Sequence, residues 1–532
     1  MGAINSGLGG RLPVGWRIGL VAWLAGAVVA PLQARGVAEH VVVVVMDGLR
    51  PDFVTPQYAP NTYALATNGV FFRRNHPAFI STTIVNGAAL ATGTHPGRSG
   101  ILANSDYREE LNTLAPVASE VLDTIRRADR FTGGRYVAVD TLAELIQDAG
   151  HHTYLAGTKS VTLLHDRKPR RTDTAAHSNS VVLGRGLVLP RRTGDALQKA
   201  NDSKVFPDTF TTPNLSSDSW TTRALTRGLW KKGVPKYSLL WLSDPDVTQH
   251  ARGVGAPESL SALENSDRLL GEVISVLKAQ GVYEKTDLFV VSDHGFSDIL
   301  RGADVAEALR KGRLNAHTKL ENPEPGDVLV VPLGGAALVY VVGRSEEVLR
   351  RAVEILQGCD FTGVLFSRVA LEGTFPLSAV KYPSDHHQPD LVVSMRWDDQ
   401  RGEQGWPGRM VATGGSRGQA THGSLSRSDM NNTLLAAGPD FRRGVLSTVP
   451  SGNVDVAPTI LHLLGLKPRE PMDGRVLWEG LKEGVGREPK ATERRLEASR
   501  SLGFLRWSQY LVVQSVDGTE YYTEGNGRQE TR

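Results

Sequence analysis

The sequence predicts an α/β fold in which a mostly parallel sheet lies between layers of helices. Apolar runs such as His40–Met46 and Tyr237–Leu242 show no polar alternation, which is typical of strands buried on both faces. Helical patterns separate these runs; Leu260–Gln280, for example, has apolar residues on one side and ends before Gly281. Several runs end abruptly in Asp or His, and ligands of such sheets bind beyond the carboxyl ends of the strands.

The length and composition limit the architecture and the class of partner. A chain of 532 residues exceeds one core, since domains usually stop growing at roughly 250–300 residues, so we expect either a large domain with an insertion or two domains. A hydrophobic content of 40% excludes wholesale disorder, and a formal net charge of +3 argues against a nucleic-acid-binding module. The single cysteine, Cys359, excludes an intramolecular disulfide and a Cys-x-x-Cys zinc site. Any metal site must therefore use His and carboxylates.

Residues 1–34 have the pattern of a secretory signal peptide. Arg11 and Arg17 precede the apolar run Ile18–Ala30, and Leu32-Gln33-Ala34 matches a cleavage site. The run is too short to span a bilayer, which needs about 20 apolar residues. Removal of this leader lowers the formal net charge from +3 to +1. We expect an exported protein, periplasmic or extracellular, with no stable membrane span; an uncleaved anchor is the alternative.

After the leader, the predicted elements begin with the first part of a catalytic α/β domain, residues 38–300. Its predicted strands and helices are His40–Met46, Ile84–Ala91, Thr141–Ala149, Tyr237–Leu242, Leu260–Gln280 and Leu288–Val291. From residue 301 the sequence instead shows short strand-like runs around one helical pattern. This change predicts an inserted, smaller α+β cap subdomain at residues 301–388. Its predicted elements are Val328–Val331, Ala337–Val342, Glu346–Gln357 and Gly363–Phe366.

The remaining residues are predicted to complete the catalytic domain and to add a tail. Residues 389–482 form its second part, in which residues 390–394 are expected to return to the main sheet and Val454–Leu464 to form a helix. Residues 483–532 are predicted to be a basic linker and a C-terminal β segment, with β character at Phe504–Tyr522.

Six residues that could bind metal follow the predicted strands or lie on loops. They are Asp47, Asp246, His250, Asp293, His294 and His422. Taken singly, each has a structural explanation: Asp47 before Gly48 suits a turn, and Asp246 with His250 suits a local hydrogen bond at i,i+4. Together, three carboxylates and three imidazoles are enough for two sites of three ligands. Mixed His and Asp ligands favour zinc, or a harder divalent ion.

The order of these motifs resembles the alkaline phosphatase superfamily, and most closely its type I phosphodiesterase/nucleotide pyrophosphatase branch. The resemblance extends from about Val41 to Trp478. The motifs are Met46-Asp47-Gly48-Leu49-Arg50-Pro51-Asp52, His76–Asn104, Asp244-Pro245-Asp246-x3-His250, Ser292-Asp293-His294-Gly295, Thr421-His422-Gly423-Ser424 and Val454–Thr459 with Met472-Asp473-Gly474-Arg475. The resemblance implies an alkaline-phosphatase-like central sheet, sandwiched by helices, with an inserted cap.

The resemblance also implies a set of site residues and two divalent metal ions, expected to be Zn2+. One ion takes Asp246, His250 and His422 as ligands; the other takes Asp47, Asp293 and His294, with the nucleophile Thr83 as an added ligand.

The family nucleophile corresponds to Thr83, although the adjacent hydroxyls of Thr82 and Ser81 leave a shift of one residue open. Thr83 precedes the predicted helix Ile84–Ala91, whose dipole favours an anion. The family asparagine that donates to a phosphoryl oxygen corresponds to Asn104, and a turn residue is the structural alternative.

The implied activity is hydrolysis of small phosphate diesters or nucleotide pyrophosphates through a covalent phospho-threonine. The lone Cys359 lacks the sulfatase context, so that branch is excluded. Threonine-dependent monoesterases carry a Lys-x-Arg pair where this chain has Lys159 and, in place of the arginine, Val161. A phosphomonoesterase or phosphonate hydrolase aided by Lys159 is therefore an alternative, as is a plain surface role for Lys159. An inactive secreted binding protein is a third hypothesis.

Overall fold

The computed structural model describes residues 36–167, 180–383, 385, 387–487 and 489–531, and it confirms the α/β class. A nine-stranded mixed sheet forms the centre, with five neighbouring parallel strands in its middle. In spatial order its strands are Val445–Ser447, Val70–Phe72, Leu434–Ala437, Thr286–Val291, His40–Met46, Tyr237–Leu242, Thr153–Gly157, Ser180–Gly184 and Leu187–Leu189. The three strands predicted to carry site residues are therefore neighbours.

The valine-rich strand His40–Met46 is buried on both faces of this sheet. Val43 lies in the apolar core on one face, whereas Val44 lies in the core on the other. Helix Thr83–Thr92 contributes to the first core and helix Pro257–Ala279 to the second. Because side chains alternate along a strand, burial on both faces requires an unbroken apolar run.

Helices cover both faces of the central sheet. Within the described residues the α-helices are Pro60–Asn68, Thr83–Thr92, Pro96–Ser99, Leu122–Thr132, Leu142–Asp148, Gly194–Ala200, Leu215–Arg223, Asp246–Arg252, Pro257–Ala279, Val305–Lys311, Glu346–Gln357 and Val456–Leu463. Thr141 begins Leu142–Asp148 through a capping box, in which its Oγ1 accepts a hydrogen bond from Glu144 N at 3.3 Å.

A second sheet of six strands forms the centre of the inserted region. Its strands, in spatial order, are Ala316–His317, Val328–Pro332, Ala336–Val341, Leu391–Met395, Thr362–Ser367 and Phe375–Pro376. The expectation that residues 390–394 return to the main sheet is wrong, because Leu391–Met395 pairs antiparallel with strands on both sides here. The strand that does return is Leu434–Ala437. The predicted boundary between residues 388 and 389 thus falls between strands of one sheet.

The two remaining larger sheets lie next to the insertion and at the end of the chain. A four-stranded sheet contains Trp397–Arg401, Pro407–Ala412, Ser297–Gly302 and Ala420–Thr421. The tail forms a three-stranded antiparallel sheet of Ala491–Leu502, Leu505–Val516 and Thr519–Thr531. The prediction of a linker is therefore wrong for residues 491–502, which pair along their whole length with the next strand.

The N-terminal leader predicted at residues 1–34 lies outside the described residues. Among the helices of the described part, none combines the length and the apolar character needed to cross a membrane.

Candidate active site

The candidate site lies at the carboxyl ends of three adjacent parallel strands. In sheet order, Asp293 follows Thr286–Val291, Asp47 follows His40–Met46, and Asp246 follows Tyr237–Leu242. His250 lies one turn further along helix Asp246–Arg252, and His422 follows the short strand Ala420–Thr421 of another sheet. All six predicted metal-binding residues are thereby brought to one edge of the central sheet.

Asp47 lies in a tight turn, and its side chain is also part of the candidate site. Gly48 has a φ of +71°, a conformation that favours glycine, and a Cβ there would lie 2.9 Å from the Phe296 ring. The Asp-Gly pair therefore forms the turn that its sequence suggests, and this turn directs the carboxylate toward the neighbouring strand ends.

Each of the three carboxylates is buried and keeps one oxygen that no described residue pairs with a hydrogen bond. These oxygens are Asp47 Oδ1, Asp246 Oδ1 and Asp293 Oδ2. Trp241 Nε1 donates to Asp47 Oδ2 at 2.8 Å, and Gly48 N donates to Asp293 Oδ1 at 3.1 Å. Burial raises the pKa of the Asp47 carboxyl, and the neighbouring Asp293 raises it further. The arrangement is thus costly without a cation.

The three histidines present the same ring nitrogen to these oxygens. The Nδ1 atoms of His250, His294 and His422 lie 3.0, 3.0 and 2.8 Å from backbone carbonyl oxygens of Ala420, Gly295 and Ser81, respectively. A carbonyl only accepts, so each Nδ1 carries a hydrogen, and Nε2 is the ring nitrogen that each histidine turns toward the site. Burial, with His294 close by, lowers the pKa of His422 well below its ordinary value and keeps that ring neutral.

The Nε2 atoms converge on the unpaired carboxylate oxygens. Asp246 Oδ1 lies 3.3 Å from His250 Nε2, 3.5 Å from His422 Nε2 and 3.8 Å from His294 Nε2. His294 Nε2 also lies 3.2 Å from Asp293 Oδ2 and 3.6 Å from Asp47 Oδ1. His294 therefore lies between two groups, and its ring stacks on that of His422 with centroids 3.5 Å apart. In the described part of the chain these form two candidate metal-binding groups, Asp246–His294–His422 and Asp47–Asp293–His294.

These groups fit divalent metal ions. Imidazole Nε2 atoms and carboxylate oxygens face one another at 3.2–3.8 Å, so their lone pairs point at one another wherever Nε2 carries no hydrogen. Such an arrangement is repulsive unless a cation lies between the atoms. Three imidazoles held by backbone carbonyls, together with three carboxylates, form a donor set that zinc favours.

Of three adjacent hydroxyl residues, Thr83 is the one whose hydroxyl oxygen contacts this cluster. It is the first residue of helix Thr83–Thr92, and its Oγ1 lies 3.3 Å from His294 Nε2. Ser81 Oγ instead donates to Ser424 O at 3.0 Å, and Thr82 Oγ1 is buried without a hydrogen-bond partner among the described residues. The geometry thus favours Thr83 over a shift of one residue.

Asn104 lies directly beside the start of this helix. Its Oδ1 accepts a hydrogen bond from Ile84 N at 2.9 Å, which satisfies one of the free N–H groups of the first turn. That bond fixes the plane of the amide, and its Nδ2 has no partner within the described residues. Asn104 is thus bonded to the first turn of the helix that begins with Thr83, and its contact with a phosphoryl oxygen stays a prediction.

Lys159 occupies a place that a plain surface role does not explain. Its side chain is only 15% exposed, and Nζ lies 2.9 Å from Asp47 Oδ2 and 2.5 Å from Asp246 Oδ2. Burial opposes its charge, but Asp246 and Asp47 outweigh this effect and raise the pKa of Lys159. Val161 is buried in the core, so that position supplies no second cation. The surface alternative for Lys159 is wrong.

Two side chains that support the cluster were not predicted from the sequence. Trp241 lies within an apolar strand, and nothing in that run distinguishes it from a packing residue. The Asp218 carboxylate accepts hydrogen bonds from Ser243 N at 2.7 Å and from Asp244 N at 3.1 Å, and so holds the segment that leads to Asp246. Burial, with Asp244 nearby, raises the pKa of Asp218 to about 7.

The sequence of this chain is similar to those of a described protein family and of curated relatives. Residues 41–424 match the model of the family described as type I phosphodiesterase / nucleotide pyrophosphatase. Among curated relatives, bis(5'-adenosyl)-triphosphatase enpp4 of Mus musculus is 21% identical over 434 residues, which cover 81% of this chain and 78% of that protein.

Solved structures of murine ectonucleotide pyrophosphatase / phosphodiesterase 5 share the fold. One has a TM-score of 0.56 and 19% identity, and covers 83% of this chain and 98% of its own. Another, an inactive threonine-to-alanine variant in complex with AMP, has a TM-score of 0.56 and 18% identity, with coverage of 82% and 97%.

Proposed function

The chain belongs to the type I phosphodiesterase / nucleotide pyrophosphatase family of the alkaline phosphatase superfamily, and we propose that it cleaves its substrate through a covalent intermediate on Thr83. It is a phosphodiester hydrolase; the finer proposal names small phosphate diesters or nucleotide pyrophosphates as substrates. The observation that carries it is the 3.3 Å contact of Thr83 Oγ1 with His294 Nε2, inside the cluster of buried ligands.

The proposed cofactors are two divalent metal ions, with Zn2+ as the expected species. Asp246, His250 and His422 would hold one ion; Asp47, Asp293, His294 and Thr83 would hold the other. Bound in this way, such ions lower the pKa of a coordinated hydroxyl and stabilise charge that develops on phosphoryl oxygens. The orphaned carboxylate oxygens and the oriented Nε2 atoms support this assignment.

The residues of the chain then have distinct tasks. Thr83 Oγ1 attacks phosphorus, the ester bond to the leaving group breaks, and the phosphoryl group remains on Thr83 with its other substituent. Asn104 Nδ2 donates to a nonbridging oxygen while its Oδ1 stays bonded to Ile84 N. Water then attacks the Thr83 adduct and regenerates the hydroxyl. The start of helix Thr83–Thr92 stabilises the anionic phosphoryl group.

The names of relatives agree with this substrate class. The mouse relative is a bis(5'-adenosyl)-triphosphatase, and a murine relative is inactive when one threonine is replaced by alanine and is seen with AMP. These facts concern those proteins. They support a nucleotide-type phosphate substrate and a threonine-dependent reaction as proposals for this chain, and they argue against the non-enzymatic binding protein.

A phosphate monoester or phosphonate substrate is the second candidate because of Lys159. Its Nζ contacts Asp47 and Asp246, one carboxylate from each proposed metal site, so it adds a positive charge to the site, and a monoester carries one more anionic oxygen than a diester. We expect Lys159→Gln to lower kcat/KM for an aryl phosphate monoester more than for the matched diester. Paired assays with one leaving group measure the ratio, and equal losses on both would leave the diester as the sole candidate.

Export to the periplasm or the outside of the cell is part of the proposal. It is supported by the signal-like residues 1–34 of the sequence and by the word "ectonucleotide" in the names of relatives. The division into catalytic domain, insertion and tail remains a prediction, apart from the boundary at residues 388 and 389 and the linker at residues 491–502, which the strand pairing contradicts.

Replacement of the nucleophile tests the proposed function. Thr83→Ala should lower turnover of a chromogenic diester at least about a thousandfold, because no hydroxyl remains to form the adduct. Thr82→Ala is the matched control and should keep activity within about tenfold. Circular dichroism should be the same in both variants, and both should still bind metal, because three protein ligands remain at each proposed site without Thr83. Wild-type turnover by a folded Thr83→Ala variant would refute the mechanism.

A further inference from the structure

A buried network of four asparagines lies directly behind the candidate site. Asn75, Asn86, Asn432 and Asn453 come from four separate segments of the chain, and each is 0% exposed. A buried amide costs free energy unless its donors and acceptors are paired, so four in contact indicate a specific requirement at this place.

Asn453 is the centre of the network because its side chain makes four hydrogen bonds. Its Oδ1 accepts from Asn75 Nδ2 and from Asn432 Nδ2, both at 3.0 Å. Its Nδ2 donates to Asn86 Oδ1 at 3.1 Å and to the backbone oxygen of Asp293 at 2.6 Å. Two donors and two acceptor lone pairs are all that an amide has, so Asn453 is saturated.

One arm of the network leads to the nucleophile. Asn86 lies one helical turn after Thr83, and its Nδ2 donates to Thr82 O at 3.2 Å and to Ala78 O at 3.1 Å. Its Oδ1 accepts from Ala78 N at 2.7 Å as well as from Asn453. Asn86 therefore fixes the segment that enters the helix, and with it the position of Thr83 Oγ1.

The other arm leads to the loop that carries two proposed metal ligands. Asn453 Nδ2 donates to Asp293 O, and Asn432 Nδ2 donates to Ser292 O. These bonds hold the backbone just after strand Thr286–Val291, where Asp293 and His294 begin to point into the site. Other backbone bonds also hold this loop, since Ser292 N donates to Thr433 O at 2.8 Å and Gly295 N donates to Asp429 O at 2.9 Å. The Asn453 bond differs from them because the same amide also contacts Asn86 in the helix of Thr83.

We propose that Asn453 is a positioning residue that sets the separation between Thr83 and the Asp293–His294 loop. A single amide joins the two halves, through Asn86 on one side and the Asp293 carbonyl on the other. It touches neither substrate nor metal, so it acts on the geometry of attack. The inference rests on the proposed role of Thr83 and extends it to the residue that aligns it.

The Asn453→Asp variant tests this role because it keeps the shape and removes both donors. A carboxylate there would face two acceptors, Asn86 Oδ1 and Asp293 O. We expect the rate of adduct formation on Thr83, measured in a single turnover with a chromogenic diester, to fall about 10–100-fold. KM should change by less than about threefold, since substrate contacts remain.

A matched control separates this effect from a general loss of stability. Asn201 is also 0% exposed; its Nδ2 donates to Leu197 O at 3.1 Å, and its Oδ1 accepts from Arg223 Nε at 3.0 Å, in helices remote from the site. Asn201→Ala removes both of these bonds and should lower the melting temperature without changing the single-turnover rate. If Asn453→Asp does not fold, Asn453→Ser, which leaves room for water, carries the same test.

The outcomes distinguish this inference from the proposed function. A wild-type single-turnover rate in a folded Asn453 variant, with Thr83→Ala inactive, overturns the positioning role alone. An equal rate loss in Asn201→Ala also overturns it, because the effect would then follow stability. Full activity of Thr83→Ala overturns both proposals.

Discussion

At the scale of single residues, the orientation of the imidazoles decides what the site can bind. Backbone carbonyls of Ala420, Gly295 and Ser81 hold the Nδ1 atoms of the three histidines, so side-chain changes elsewhere do not reverse the rings. Ligand histidines of metal sites commonly have such a partner for the second nitrogen. The metal preference of the site therefore depends on local backbone geometry as much as on the ligand residues.

A second residue-scale consequence concerns Asp298, a carboxylate near the site but outside the proposed ligand set. Its Oδ1 accepts a hydrogen bond from Val254 N at 2.8 Å, and burial raises the pKa of its carboxyl from the ordinary value of 3.8 to about 6. Ionisation therefore costs more in the folded than in the unfolded chain. The resulting loss of stability is absent below pH 4 and complete above pH 6.

We expect Asp298→Asn to gain stability relative to wild type as the pH rises from 4 to 7. Asn keeps the acceptor for Val254 N and never ionises, so at pH 7 the gain should reach about 1–2 kcal/mol. Urea denaturation of both proteins at several pH values measures it. The exposed Asp208→Asn is the control, and a difference that does not vary with pH would contradict the assigned shift.

The spatial positions of individual side chains were the least predictable part of the site. The identity of Asp47, Asp293 and His294 follows from strand ends, which a sequence shows directly. The place of Lys159 does not, because it depends on how the loop after Thr153–Gly157 turns back over the sheet. The role of Asn453 depends on contacts among four distant segments, and no local pattern carries that information.

At the scale of elements, the C-terminal sheet supports the loop that carries His422. Gly525 N donates to Leu425 O at 2.9 Å, and Trp397 Nε1 donates to Gly525 O at 2.6 Å. The strand Thr519–Thr531 thus connects the end of the chain to the site, beyond the region matched by the family model.

Gly527 of this strand allows the close approach of the C-terminal sheet to the inserted sheet. A Cβ there would lie 2.1 Å from Gly363 O and 2.5 Å from the Trp507 ring. Gly527→Ala should therefore cost about 1–3 kcal/mol of unfolding free energy and lower the melting temperature. Gly194→Ala, whose Cβ would meet no atom within 4 Å, is the control and should be neutral. Equal melting temperatures for the two variants would contradict this packing.

Helices and strands were predictable wherever a single segment of the sequence contains the hydrophobic pattern that specifies them. His40–Met46 and Glu346–Gln357 have the predicted bounds, since burial on two faces and amphipathic periodicity are local patterns. The sheet to which Leu391–Met395 belongs is not local, because either sheet could accept an apolar strand. Ala491–Leu502 has many charged residues on its exposed side and lacks clear alternation, so pairing alone makes it a strand.

At the scale of the whole molecule, the sequence order of the ligands and their spatial order differ. Asp47, Asp246 and Asp293 are far apart in the chain, yet parallel pairing of His40–Met46 with both neighbouring strands brings their ends together. The net charge of +3 provides no strong overall field. Attraction of an anionic substrate must therefore come from the proposed ions and from Lys159, close to the point of reaction.

The central claim is that Thr83 carries the phosphoryl group between two displacement steps. Acid quench within milliseconds of mixing enzyme and diester, followed by peptide mass spectrometry, tests it directly. We expect the peptide containing Thr83 to gain the mass of the retained phosphoryl ester, with fragment ions that place it on Thr83. An adduct on Thr82, or turnover at full rate with no adduct on any residue, would contradict the account.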